Sequence, residues 1–142
     1  NPTAASDKIE WVKKYMDDIK KSARDKGFVT TMMNRIRYIP EITSDNFNTR
    51  SFGERVALNT PIQGTAADII KLAMVRVYNR LKTEKLRARL ILQVHDELII
   101  ECPAYELETV RKLLKQEMES VIELEVKLLA EEKYGKSWYE TK

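Results

Sequence analysis

Residues 90–103, LILQVHDELIIECP, place His95, Asp96 and Glu97 between two apolar runs. The runs predict two β-strands, LRARLILQV and ELIIE, and Pro103 ends the second one. Their apolar residues are continuous rather than alternating, which predicts burial on both faces. The three polar residues therefore fall at the tip of an antiparallel hairpin.

The composition is that of a soluble globular protein. The 142 residues are 43% hydrophobic and 33% charged, which suits one domain or one large piece of a domain. There is no apolar run near the roughly 20 residues of a membrane helix and no secretory leader, and the single Cys102 excludes an internal disulfide. We therefore expect a cytoplasmic protein. Because the first residue is Asn1 and not Met, we also expect a fragment or a processed chain.

The net charge of +3 is unevenly distributed along the chain. Residues 1–100 carry 18 Lys and Arg against 12 Asp and Glu, whereas residues 101–142 carry 7 against 10. The basic part could face a polyanion. A mildly basic surface that only keeps the chain soluble is the alternative, and charge alone favours it.

The first third of the chain predicts a helix and a hairpin. Ser6 can cap a helix that Gly27 ends near Lys26. Its apolar face recurs at spacings of three and four: Ile9, Val12, Met16, Ile19 and Ala23. FVTTMM and IRYIP then predict two strands joined by a turn at NR, followed by the polar loop EITSDNFNTR.

The rest of the chain predicts helices around the second hairpin. Capping-box spacing in SFGE (51–54) and again in TAAD (65–68) predicts two helix starts, so 51–82 is either two helices or one kinked at Pro61. VKLLA predicts a last strand, and ELETVRKLLKQEMESVI predicts an amphipathic helix. The inward positions of this helix are Leu107, Val110, Leu114, Met118 and Val121 or Ile122. We expect an α+β fold, with helices on one face of a mostly antiparallel sheet.

The carboxylates of Asp96 and Glu97 suit a metal site at the hairpin tip. Adjacent residues on an extended chain point in opposite directions, so one could bind a metal directly while the other assists from the side. Oxygen ligands suit Mg²⁺, the ion of two-metal phosphoryl transfer. Solvated turn residues, with a structural His95, are the alternative. A metalloprotease site is excluded because the chain has no HExxH and only one histidine.

Arg55, Asn59 and Gln63 recur at a spacing of four and share one face of a regular helix. Their donors can reach the O2 and N3 acceptors of the DNA minor groove, which every base pair presents. Such contacts check the shape of the duplex without reading its sequence. A polar helix face with no ligand is the alternative.

Together these segments resemble family A DNA polymerases, the bacterial DNA polymerase I group. The similar segments, in the order and approximate spacing of that family, are GFVTTMMNRIRYIPEI, SFGERVALNTPIQGTAADIIKLAM, LILQVHDELIIECP and YGKSWY. The resemblance extends from about Asp7 to the end of the chain. It implies the C-terminal half of a polymerase palm, with 7–26 as a helix leading from the fingers and 27–142 as the palm portion.

The resemblance also implies roles for individual residues. Asp96 is similar to the palm carboxylate that helps to hold two catalytic Mg²⁺ ions, Glu97 to its supporting neighbour, and His95 to a residue near the primer terminus. The implied DNA-binding residues are Arg55, Asn59, Gln63, His95, Arg35 and Arg37. Ile36 stands where many members carry a third arginine, which weakens the implication for the Arg35 and Arg37 hairpin.

The partners implied are primer-template DNA and dNTP substrates. The family also needs a first palm Asp and a fingers helix bearing Lys, Tyr and Arg, and neither is found here; Asp45 and Asp68 do not replace that Asp. We therefore expect upstream palm, fingers and thumb segments to be missing, and this piece alone to be inactive. A non-catalytic DNA-binding module and an inert structural fragment remain the alternatives.

Overall fold

The computed structural model describes the backbone of residues 2–142 and the side chains of residues 7–142. The chain forms two compact units, Asn1–Ala66 and Ala67–Lys142. The elements are helix α1 (Pro2–Lys26), strands β1 (Phe28–Thr30) and β2 (Ile36–Tyr38), helix α2 (Phe47–Thr83), strands β3 (Arg89–Val94) and β4 (Glu97–Glu101), and helix α3 (Leu107–Glu119). Helix α2 contributes residues to both units.

Helix α1 is longer than the sequence predicts. It begins at Pro2, where a proline is tolerated because the first helical N–H has no helical partner. The predicted cap at Ser6 therefore lies inside the helix, and its side chain is outside the described residues. The predicted end is confirmed: Gly27 has a φ of 78°, and its N–H donates to the carbonyl of Ala23 at 2.8 Å.

The first unit has a small core where α1, the first hairpin and α2 meet. Strands β1 and β2 pair antiparallel, with Phe28 opposite Tyr38 and Thr30 opposite Ile36, which confirms the predicted hairpin. The predicted turn at NR is wrong, because the turn residues are the two methionines before it, which the sequence pattern assigned to the strand. The buried core residues are Ala23, Val29, Ile39, Ile42 and Ala57. The predicted apolar face of α1 is only partly covered, since Ile9 is 64% exposed and Val12 48%.

Helix α2 is one continuous element, and both predicted starts are wrong. Its cap is Asn46, whose Oδ1 accepts a hydrogen bond from the Thr49 N–H at 3.2 Å. The predicted caps, Ser51 and Thr65, lie within the helix. Asp68 is also helical and 7% exposed. Capping-box spacing occurs inside helices as well as at their ends, so spacing alone misplaced both boundaries.

The second unit packs the second hairpin against α3 and the C-terminal part of α2. The buried core residues are Ile70, Ala73, Val77, Leu81, Ala88, Leu98, Val110, Leu113 and Val121. The prediction that both strand faces are buried is wrong, because Ile91 is 54% exposed and Leu92 42%. A two-stranded sheet here packs one face, through Leu90, Leu98 and Ile100, on the core.

The C-terminal part of the chain departs from prediction in two places. Residues 126–130, VKLLA, form no strand in the described chain, and Val126 and Leu129 are exposed. In α3, Val110 is buried as expected, but the sequence pattern missed Leu113, which is 1% exposed.

The α+β class is confirmed, because helices accompany antiparallel strands in both units. Within the described residues, however, the strands form two separate two-stranded sheets rather than the one larger sheet that the sequence predicts. None of the described helices is long and apolar enough to cross a membrane.

Candidate nucleic-acid interface and carboxylate turn

The first unit contains an open groove of about 530 Å³ between the first hairpin and α2. Two of its polar side chains, Arg35 and Arg37, come from the hairpin. Asn59 and Gln63 come from the helix. The complete lining is Thr31, Arg35, Ile36, Arg37, Phe52, Val56, Asn59, Thr60, Gln63 and Gly64. The groove therefore combines two cationic side chains with two neutral amide donors.

The predicted helix face reaches this groove in part. Arg55, Asn59 and Gln63 are all exposed, as a shared polar face requires. Asn59 and Gln63 line the groove, whereas Arg55 lies one turn earlier, with its guanidinium 6.0 Å from the ring centroid of Phe52. Pro61 lies between the two amides and does not interrupt the helix. The spacing of four is thus preserved across the proline.

The second unit presents His95 and Asp96 as a two-residue turn. Val94 is the Cα partner of Glu97, so only these two residues connect β3 to β4. The φ of His95 is 53°, in a backbone region that residues other than glycine seldom adopt. The Gln93 amide donates to the His95 carbonyl at 2.6 Å. This bond limits the freedom of a strained residue.

A β-bulge sets the register of this turn. Leu90 is opposite Ile100 but Leu92 is opposite Ile99, so Ile91 is an extra residue in β3. If β3 paired regularly, without this bulge, Gln93 would be opposite Glu97 and the connection between the strands would be three residues long. The sequence pattern missed the bulge because an Ile within an apolar run gives no sign of one.

The two carboxylates of the turn are accessible to solvent. Asp96 and Glu97 are both exposed, Asp96 in the turn and Glu97 as the first residue of β4. Among the described side chains, no three of the His, Cys, Asp and Glu groups are close enough to share a metal ion. Two oxygen donors nevertheless fit Mg²⁺, which takes one or two protein carboxylates and fills its shell with water and substrate phosphates.

The sequence of residues 6–140 matches the protein-family model described as DNA polymerase family A. This chain belongs to DNA polymerase family A. It is 55% identical over 131 residues to DNA polymerase I of Bacillus caldotenax and 54% identical over 134 residues to that of Bacillus subtilis. These matches cover 92% and 94% of this chain but 15% of each relative. The chain therefore spans about 15% of the length of the curated relatives it matches.

A solved polymerase-domain structure has the same fold. The POL domain of Pol1 from M. smegmatis, in complex with DNA primer-template and dNTP, superimposes with a TM-score of 0.88 at 42% sequence identity. The match covers 92% of this chain and 23% of that one. The resemblance to the bacterial DNA polymerase I group is thus confirmed in sequence and in fold.

Cys102 is a partly buried free cysteine that directly follows β4. Partial burial raises the pKa of its thiol, and the nearby carboxylate of Glu106 raises that pKa further. A raised pKa keeps the thiol protonated, whereas the thiolate is the reactive form.

Proposed function

We propose that this chain is the C-terminal palm portion of a DNA-directed DNA polymerase, with residues 7–26 leading from the fingers and 27–142 in the palm. The reaction proposed for the whole enzyme is template-directed nucleotidyl transfer. The observation that carries the proposal is the close match, over 92% of the chain, to a polymerase domain bound to primer-template and dNTP. Primer-template DNA and dNTPs are therefore the proposed partners of the whole enzyme.

The groove of the first unit is proposed to bind the primer-template duplex. The amides of Asn59 and Gln63 offer donors to the O2 and N3 acceptors that every base pair presents in the minor groove. Arg35 and Arg37 offer charge to backbone phosphates, which fixes the position of the duplex without reading its sequence. Arg55 lies on the same helix face, one turn before Asn59. Its guanidinium group therefore adds a third donor to the row formed by Asn59 and Gln63.

The turn of the second unit is proposed to hold the catalytic metal and the primer end. Asp96 is the direct ligand, Glu97 supports it from the adjacent position, and His95 lies near the primer terminus. Bound Mg²⁺, with two ions expected in the whole enzyme, would supply charge stabilisation for the displacement at the α-phosphate. The exposure of Asp96 and the restrained turn support this role, because a metal carboxylate must be both accessible and held in place.

The fragment by itself is proposed to be inactive. Positioning and charge stabilisation account for most catalysis in phosphoryl transfer. The turn supplies one pair of adjacent carboxylates, and the described side chains form no larger metal-binding cluster. A DNA-binding module without chemistry is the second candidate, and the groove with its arginines and amides favours it.

Primer extension tests these proposals. The 142-residue chain, with Mg²⁺, four dNTPs and a labelled primer-template, should give no extension but should bind the duplex in a salt-dependent manner. Asp96→Ala in the intact polymerase should abolish extension and leave DNA binding unchanged, with Asp45→Ala as the control. Near-normal extension by Asp96→Ala would refute the metal role. Absence of duplex binding by the chain would refute the proposed DNA-binding role of the groove.

A further inference from the structure

A threonine of α2 holds the loop between β1 and β2, which carries Arg35 and leads to Arg37 in β2. The backbone N–H of Met32 donates to the Oγ1 of Thr65 at 3.0 Å. The same hydroxyl donates to the carbonyl of Pro61, one helical turn earlier. Because its proton is directed at Pro61, a lone pair remains for Met32. Thr65 is 8% exposed, so water does not readily replace either hydrogen bond.

A second threonine connects the other side of that loop. Thr31 is 5% exposed, and its Oγ1 accepts from the Arg35 N–H at 3.2 Å. Its backbone N–H donates to the Arg35 carbonyl at 3.0 Å. Its methyl group lies over Gly64, where an added Cβ would come within 2.6 Å of it. The hydroxyl thus fixes Arg35, while the methyl needs a glycine opposite.

These interactions all come from one short segment of α2. Gln63 lines the groove, Gly64 admits Thr31, and Thr65 binds Met32. The donor row of the helix and the anchor of the arginine loop are therefore consecutive in the chain. Any displacement of the loop changes the separation between the guanidinium groups and the amides.

The geometry points to Thr65 as a positioning residue that sets the arginine hairpin, through Met32, at a fixed distance from the amide donors of the groove. This inference rests on the proposed duplex-binding function. Thr65 itself touches no DNA in this scheme. Its removal should release the phosphates held by Arg35 and Arg37 while leaving the helix donors in place.

Salt dependence distinguishes a displaced loop from a less stable protein. Each duplex phosphate that a protein neutralises adds about 0.9 to the slope of log K against log salt, so an arginine that moves away from its phosphate makes the slope shallower by that amount. A protein that is only partly folded binds less DNA in total, but its folded fraction retains the original slope. The slope therefore reports the place of the arginines and is insensitive to simple destabilisation.

The main experiment compares Thr65→Val with Thr65→Ser in the 142-residue chain. Valine has nearly the same shape but offers Met32 no acceptor, whereas serine keeps the hydroxyl. With a fluorescein-labelled primer-template duplex, Thr65→Val should give a salt slope shallower by about one to two and bind on the order of tenfold more weakly at low salt. Thr65→Ser should retain the wild-type slope. Amide exchange should show faster exchange at Met32 in Thr65→Val alone.

A second pair of variants approaches the loop from the opposite side and applies even if Thr65→Val does not fold. Gly64→Ala should push the Thr31 methyl away and make the slope shallower. Gly64→Ala combined with Thr31→Ser should restore it, because serine lacks the methyl but keeps the hydroxyl for Arg35. Circular dichroism checks that each variant is folded.

Each outcome separates the inference from the function beneath it. If the wild-type chain binds no duplex, the groove function fails and the inference with it. If the wild type binds and the folded variants keep its slope, the inference alone is wrong. Weaker binding with an unchanged slope also overturns it, since the arginines would then be in place.

Discussion

The side-chain amide of Gln93 donates a hydrogen bond to the carbonyl oxygen of His95, at an N–O distance of 2.6 Å. His95 has a φ of 53°, so the bond restrains the strained residue next to Asp96. A restrained turn matters for the proposed function because a displacement of a metal ligand by about 1 Å can lower the reaction rate on the order of 100-fold.

Gln93→Met should reduce the restraint on the turn. Methionine keeps the length of the side chain but removes the donor. Because Gln93 is exposed, we expect a decrease of only about 0.5–1 kcal/mol in the free energy of unfolding, measured with urea. The decrease should be smaller in a His95→Gly background, since glycine adopts a positive φ without strain. Equal decreases in both backgrounds would show that Gln93 does not act through the His95 backbone.

Glu106→Ala should destabilise the segment that leads into β3. The carboxylate is 7% exposed and accepts hydrogen bonds from the Arg87 N–H at 2.8 Å and the Ala88 N–H at 2.9 Å. Its removal leaves two amides without acceptors, and we expect a cost of about 2–3 kcal/mol. Glu106→Gln keeps one carbonyl oxygen and should cost less. Thermal unfolding with amide exchange at Ala88 measures both; unchanged exchange would refute the role.

Gly53→Ala should destabilise the first unit. This is the opposite of what helix propensity alone predicts, since alanine is more favourable than glycine inside a helix by about 1 kcal/mol. An added Cβ would lie 2.8 Å from the backbone nitrogen of Ile42, which belongs to the core and cannot move freely. We expect a net decrease of about 1–3 kcal/mol in the free energy of unfolding by urea. Lys71→Ala, on an exposed position of α2, is the control and should be near neutral. A stabilised Gly53→Ala variant would contradict the close approach.

The Cys102 thiol should make stability fall at alkaline pH. Burial, and then the charge of Glu106, raise its pKa in the folded chain. The unfolded chain keeps the ordinary thiol pKa and so loses the proton first. Stability is therefore unaffected below that ordinary pKa and declines as the pH rises through it. The measurement is the difference between wild type and Cys102→Ala in urea unfolding across that range; a pH-independent difference would refute it.

Local sequence determined the types of the main elements. Spacings of three and four predicted the helices, Gly27 marked the end of α1, and HDE marked the tip of the second hairpin. These signals work because each depends on residues within a few positions of one another. The motifs that indicated the family are local in the same sense, so the sequence by itself was sufficient to recognise family membership.

The tertiary structure decided what covers each surface and which polar groups meet. Thr65 has the spacing of a helix cap, yet its hydroxyl binds Met32, 33 residues earlier in the chain. Ile91 belongs to an apolar run, yet it is an exposed bulge that shortens the connection at Asp96 to two residues. Periodicity indicates which residues favour burial, but the surface that buries them and the partners of their polar groups come from distant segments. Only the folded chain brings those segments together.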